Sequence, residues 1–395
     1  MVDFLSSGLL SVLAFVAVIS FVVVIHELGH YWAGRICGVH AEAFSIGFGP
    51  GLFGWTDRLG TRWRVAALPL GGYVRFRGDE NAASAPDRET LAALKASHAQ
   101  ADTVFHFKPV WQRAFIVSAG PLANFILAIV LFGLLGALRG EVRIEPVVGE
   151  IVAESPAEAA GLQAGDVFVR MDGRELEDRR EIMQHVMTRA GEPIDFVVER
   201  NGALVEITAA PERRMRPDGL GGERALGVLG VVFSNDVAVE RVRIPIWAAP
   251  AHGVERTVEV VEMIVDYLAR LVTGRASFEH VNGPLGIATT AGQVANNAVG
   301  GEAGEVGVGS RLLALVLSLT ALSALLSVAL GLMNLMPVPV LDGGHLVYYA
   351  YEAVAGRPPS PAVQEAGFKL GAGLLLCMFV VATWNDLSYL RGLFS

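Results

Sequence analysis

The sequence predicts a multi-pass α-helical membrane protein with four transmembrane helices, a membrane-reentrant β-loop and one folded domain outside the bilayer. Three observations carry that prediction. The 395 residues are 52% apolar and only 18% charged, with a mean hydropathy of +0.46, which excludes a single soluble domain. Residues 1–36, 114–138, 311–336 and 368–390 each hold an apolar run long enough to cross a hydrocarbon core of about 30 Å. Between the second and third runs lies a long stretch of alternating strand-like and helix-like patterns, as in a folded domain. The formal net charge of −9 leaves no basic footprint for nucleic acid. Cys37 and Cys377 lie in or beside apolar segments and do not suggest a disulfide framework.

The first run, 1–36, has no basic leader and no small-residue cleavage site, so it reads as a retained span. It contains FVVVIHELGHYWA, Phe21 to Ala33. His26 and His30 are four apart, so on a helix both imidazoles project from one face and can grip one cation. Glu27 lies one position round, near enough to reach a water at the metal without being a ligand. Ionisable groups inside a membrane segment are costly and therefore point to function. A chance pair of core histidines would leave unpaired polar groups in hydrocarbon. The seventeen largely apolar residues from Leu9 to Ile25 rise about 26 Å as a helix. The histidines should then sit just short of the far boundary, still within the bilayer.

Residues 37–113 are neither helical nor plainly soluble. AEAFSIGFGPGLFGW and TRWRVAALPLGGYVRF are β-type stretches punctuated by Gly and Pro. Extended backbone at membrane depth is tolerated where it lines a cavity, so a β-loop dipping back beside the metal is expected. Asp79 to Ala101 reads as a polar surface helix with loops. The second span, 114–138, opens with SAGPLANF, whose Pro121 and Asn124 are unusual for a lipid-facing helix; Asn124 faces the bundle interior or serves as packing glue. Residues 142–212, with SPAEAAGLQAGDVFVRMDG at Ser155 to Gly173, resemble a PDZ domain of the bacterial envelope-protease type. Such domains bind extended peptide termini by adding a strand to a sheet edge.

Residues 213–310 read as a linker followed by a membrane-proximal amphipathic helix at Ile246 to Val272. There Val254, Val258, Val261, Val265 and Leu268 oppose Glu255, Glu259, Glu262 and Asp266, and the valine face is expected to pack on a neighbour. The third span is 311–336, an LDG-containing loop occupies 337–367, and the fourth span is 368–390. Four spans put both termini on one side. Arg35, Arg58, Arg62, Arg64, Arg75, Arg77 and Lys108 crowd the segment between spans one and two, which is therefore expected to be cytoplasmic. The 142–212 domain and both termini then lie outside, giving an extracytoplasmic PDZ domain.

A catalytic zinc site uses three protein ligands and an open position. Asp342 returns to the depth of the histidines at the end of span three, on a turn broken by Pro337, Pro339, Gly343 and Gly344. His345, on the same turn, is an alternative ligand or an outer support.

HELGH, GFGP, PLGGYV, AGPLANF, the PDZ-like module, NGPLGIA and NLMPVPVLDGG occur here in one order. Together they resemble the site-2 protease family of intramembrane zinc metalloproteases, in its bacterial regulator-of-sigma-E-protease type, over nearly the whole chain. The resemblance implies that His26, His30 and Asp342 bind Zn2+ and that Glu27 is catalytic. It also implies that Asn334, in the NxxPxPxLDG stretch, helps hold the substrate backbone. Implied substrates are single-pass membrane proteins within the lipid bilayer of the bacterial cytoplasmic (inner) membrane. They are anti-sigma-factor-like proteins already cut once outside, and signal-peptide remnants. The best-known members carry two PDZ domains in tandem, whereas one is recognisable here.

Metal-assisted amide hydrolysis follows, with Glu27 moving a proton from the attacking water to the leaving amine. A helical peptide bond is shielded by its own hydrogen bonds, so the substrate must unwind. The stretch Leu68 to Val74, with Gly71, Gly72 and Tyr73 at its centre, is expected to take up the freed strand by edge pairing. A catalytically silent PDZ scaffold for envelope proteins is the alternative, and the intact Glu27 weighs against it. A metal transporter would show an inverted repeat, and none is visible.

Overall fold

The computed structural model describes residues 2–79, 101–176, 178–217, 223–234, 236–237, 239–274, 283–299 and 307–394. Most of the polar stretch read as a surface helix, residues 80–100, lies outside the described residues, as does 300–306 of the Gly-rich stretch before span three. In chain order the elements begin with α1 (Val2–Ile36), β1 (Ala41–Thr56), β2 (Arg62–Phe76), α2 (Val110–Arg139), β3 (Glu141–Ile144), β4 (Val148–Ile151) and α3 (Pro156–Ala159). There follow β5 (Val167–Met171), β6 (Arg174–Glu175), α4 (Arg179–Thr188), β7 (Ile194–Arg200), β8 (Ala203–Ala209), β9 (Glu212–Pro217), β10 (Glu223–Val228), β11 (Val231–Phe233) and β12 (Val239–Val242). The helices α5 (Ala249–Val272), α6 (Pro284–Val299), α7 (Val308–Leu335), α8 (Asp342–Ala355) and α9 (Pro361–Phe394) complete the chain.

The chain divides into two compact units, one of residues 1–135, 248–262 and 282–383, the other of 136–247, 263–281 and 384–395. Among the described residues, four helices are long and apolar enough to cross a membrane: Gly8–Ile36, Val110–Arg139, Val308–Leu335 and Pro361–Ser388. They coincide with the four runs picked out from hydropathy.

In the first unit, α1 stops where the chain must turn into a sheet. Gly38 takes φ 72°, and the Val39 N–H bonds back to Gly34 O at 2.8 Å, a Schellman-type close that a side chain at 38 would strain. The following sheet is richer than two stretches. Ala43 to Ile46 is bordered on one side by Arg75 to Gly72 and on the other by Arg62 to Val65, while Gly51 to Thr56 pairs with Ala66 to Arg62. The lanes therefore run 72–76, 41–46, 62–66, 51–56. Asp57 closes the turn between β1 and β2, accepting from the N–H groups of Leu59 and Thr61 at 2.8 and 2.9 Å. Its other oxygen accepts from Trp63 Nε1 at 2.9 Å and the Tyr31 hydroxyl at 3.3 Å, which ties the sheet to α1. Tyr31, Phe44, Val74, Phe76, Phe105 and Ile116 form the buried core between sheet and helices.

Three readings of this unit need correction. The 337–367 segment is not simply a loop, because α8 starts at Asp342. The 213–310 linker contains α6, whose Ala291 and Ala295 pack with Ala14 of α1; small residues carry little periodic signal. The valine face of α5 does not pack as expected: Val254 and Val258 are half exposed. Gly253 instead lies against Ile129 and Gly133 of α2.

In the second unit, a four-stranded sheet runs β6-β5-β7-β8, with Phe168, Ile182, Ile194, Phe196 and Val198 at its core. The helix α4 is set by a capping box between Asp178 and Glu181 and buries Ile182 and Val186 against the sheet. The pairing of β11 with β4 and of β12 with β3 carries this module to Val242, past the boundary at 212 taken from sequence. Three-residue strands such as β11 are too short to be recognised before their partners are known.

Asp166 is 1% exposed and takes both prongs of Arg200 at 2.7 Å. Burial alone would raise its carboxyl; hydrogen bonds from Arg200 and the Gln163 N–H outweigh burial and hold it below the usual carboxylate range. A depressed folded value gives stability that is complete above about pH 4 and is lost as pH falls through that value. Asp166→Asn is expected to cost this module about 2–3 kcal/mol at pH 7 and to flatten its loss of stability in acid. Hydrogen exchange of Phe168 to Met171 across pH reads both effects.

Candidate metal centre

One helical turn separates His26 from His30 on α1, and their Nε2 atoms lie 3.2 Å apart. Asp342 comes from the far end of the chain. Its Oδ2 is 3.2 Å from His26 Nε2 and 3.5 Å from His30 Nε2. Asp342 is the first residue of α8, where the helix dipole favours a carboxylate. The turn that brings it there depends on two glycines. A Cβ on Gly343 would strike the carbonyls of Leu335 and Met336, and one on Gly344 would strike Val338 and Pro339. Any side chain there would push the turn off α7 and carry Asp342 away from the histidines.

These three side chains meet the requirements of a cation. Asp342 Oδ2 is buried and makes no directed hydrogen bond, although both imidazoles stand beside it. The three atoms lie within 3.5 Å of one another. Edges of 3.2, 3.2 and 3.5 Å compare with roughly 3.3 Å between donors of a tetrahedral zinc at bond lengths near 2.0–2.1 Å. Among the described residues this is the one group of three His, Cys, Asp or Glu side chains able to hold a metal.

The second helix seats the first. His30 Nδ1 donates to Ile116 O at 2.9 Å, leaving its Nε2 lone pair directed at the group. The ring rests on Gly120, where any Cβ would overlap it. Neither the Ile116 carbonyl nor the role of Gly120 was visible in sequence, although Gly120 belongs to the AGPLANF stretch and Ile116 lies three residues before it. Glu27 lies beside the group without joining it, and the Val74 backbone N–H donates to its carboxylate. All four residues line a cavity of about 210 Å³, together with Asn334 and His345.

The remaining sequence candidates divide. Asn334 lines the cavity, but its amide nitrogen donates to Leu330 O of its own helix at 3.1 Å. Gly72 is next to Glu27: a Cβ there would lie 3.3 Å from Glu27 Cγ and would strike the Ser45 carbonyl oxygen. Gly71 packs under the Phe48 ring, and Tyr73 stacks on Phe48 at 6.2 Å. Neither of those two lines the cavity. His345 reaches the cavity but not the convergent group of donors. Tyr349, missed in sequence, completes the wall and carries Arg113 over its ring at 4.9 Å. Arg113 in turn pairs with Glu352 at 2.6 Å, pinning α2 to α8.

A largely enclosed His-His-carboxylate triangle with a further carboxylate beside it, in a unit built on membrane-length helices, defines a membrane-embedded metallohydrolase. The comparisons agree with that class. The model of peptidase family M50 matches residues 14–378, and the chain belongs to that family, the site-2 proteases. It is 45% identical to metalloprotease MmpA of Caulobacter vibrioides over 406 residues, covering 98% of this chain and 99% of that one. It is 41% identical to a protein that carries the name zinc metalloprotease in Agrobacterium fabrum, with 96% of each chain covered. A protein so named in Rhizobium meliloti is 40% identical over 96% of each. The protein is a zinc metalloprotease and an integral membrane protein.

Proposed function

We propose that the protein is an intramembrane endopeptidase that cuts transmembrane segments of single-pass membrane proteins. In this reading the substrates are anti-sigma-factor-like proteins after a first cut outside, and signal-peptide remnants. One observation carries the reading: His26, Glu27 and His30 lie within Gly8–Ile36, a helix long and apolar enough to cross a membrane. A site at that depth meets peptide bonds that are themselves in the bilayer.

His26, His30 and Asp342 hold the zinc, and Glu27 is the catalytic residue. When bound, zinc acts as a Lewis acid that polarises the scissile carbonyl and makes water a better nucleophile. The Glu27 carboxylate takes the proton from the attacking water and returns it to the leaving amine nitrogen. The Val74 N–H keeps that carboxylate turned into the cavity. The lane ending at Gly72 forms an edge beside Glu27, and with Gly71, Tyr73 and Asn334 it holds the unwound substrate backbone. Gly72 and Asn334 have direct support in their positions beside Glu27 and on the cavity wall. Gly71 and Tyr73 act through backbone alone.

The β-loop re-enters the bilayer, its arginines lie on the cytoplasmic side of the inner membrane, and both termini lie on the periplasmic side. The β-rich module is a PDZ-type filter on that side, which selects substrates by their trimmed ends. Reconstitution with a single-span peptide, with and without a bulky outer domain, tests the reading. The expected result is one cut inside the apolar segment, mapped by mass spectrometry, with the trimmed form preferred. Cuts confined to soluble loops would overturn it.

A further inference from the structure

Asn124 has no role in the chemistry above, yet its surroundings are unusual. It is completely buried and lies on α2, two turns beyond Ile116 on the same helix face. Its amide faces one polar partner, Nδ1 of His26, with Nδ2 at 3.3 Å. Its Oδ1 is buried and makes no hydrogen bond, so nothing else holds the amide in either sense. The neighbouring helix fixes its place. Ser327, fully buried on α7, donates to the Asn124 backbone carbonyl at 2.8 Å. Gly331 lies against the Asn124 side chain, with a Cβ built there only 3.3 Å from Asn124 Cβ.

A histidine that offers Nε2 to a metal must carry its proton on Nδ1, and that proton needs an acceptor. For His30 the acceptor is Ile116 O, a backbone group that cannot be anything else. His26 has only the Asn124 amide. Of the two ends of an amide, only the oxygen accepts, and the ends are alike in shape.

We infer that Asn124 is a positioning residue for the metal centre: its side-chain oxygen, brought round by a half-turn of the amide, accepts the His26 Nδ1 proton and fixes the tautomer that leaves Nε2 free. The inference rests on His26 being a zinc ligand. The two ligand histidines are then oriented by one helix, His30 through the Ile116 carbonyl and His26 through the Asn124 side chain two turns further along. The asparagine of AGPLANF is thereby tied to zinc affinity rather than to helix packing alone.

The test is zinc affinity by chelator competition on the full-length protein in detergent, for wild type, Asn124→Leu and Asn124→Asp. Thermal unfolding of the zinc-free forms accompanies it. Asn124→Leu should weaken zinc 10–100-fold at unchanged zinc-free stability, whereas Asn124→Asp, which keeps an acceptor, should stay within about threefold of wild type. Wild-type affinity in Asn124→Leu, or equal loss in both variants, would overturn the inference. If neither variant folds, 15N spectra of histidine-labelled, zinc-free wild type decide, with the His26 signal assigned by its loss in His26→Gln. A proton on Nδ1 supports the inference, and one on Nε2 overturns it. A wild type that binds no zinc through His26 would fail the ligand reading instead, and shows as zinc retained in His26→Gln.

Discussion

Glu27→Gln is expected to retain about one zinc per chain while losing 10²–10⁴-fold or more of peptide-bond cleavage. The substitution preserves size and leaves an oxygen able to accept from the Val74 N–H, so the side chain has reason to stay where it is. It removes the one property the proposed chemistry requires, a carboxylate that takes up and returns a proton. His26, His30 and Asp342 are untouched, so metal content separates a lost base from a lost site. Full activity in this variant would remove Glu27 from the mechanism. Loss of zinc with activity would make it a support of the metal centre.

The second large effect is expected at Asp342. Asp342→Asn keeps a residue able to start α8, and the Gly343–Gly344 turn remains, so the helix should hold its place. What changes is the donor whose Oδ2 faces both imidazoles at 3.2 and 3.5 Å. Removing a direct ligand should weaken zinc beyond the 10–100-fold typical of an outer partner, and activity should fall with occupancy. Unchanged zinc affinity would transfer the ligand role to His345, which lines the same cavity. Chelator titration of both variants beside wild type reads the difference.

The histidine pair and the glutamate were legible because helical spacing puts residues four apart on one face, whatever the rest of the chain does. Asp342 was legible only as a residue returning to the right depth. That it opens a helix was hidden, because Pro337, Pro339, Gly343 and Gly344 all read as breakers. The tight contacts of the two glycines with Leu335, Met336 and Val338 exist only once α7 and α8 meet. The four apolar runs were plain from hydropathy. The double pairing of Ala43 to Ile46 was not, since period and composition reveal strands but not how many neighbours each has. The support of His30 by Ile116 is a backbone contact between residues 86 positions apart, and side-chain identity carries no trace of it. Asn124 was conspicuous as a polar residue in an apolar helix, but its partner could be named only from the fold.

The central claim is that one zinc sits between His26, His30 and Asp342. Zinc-edge X-ray absorption on the purified full-length protein tests it most directly, with metal content measured on the same sample. The account predicts about one zinc per chain and a shell of nitrogen and oxygen donors alone at about 2.0–2.1 Å, part of it with the outer scattering of imidazole. A sulfur donor at about 2.3 Å, which would implicate Cys37 or Cys377, or a shell without imidazole, would contradict it.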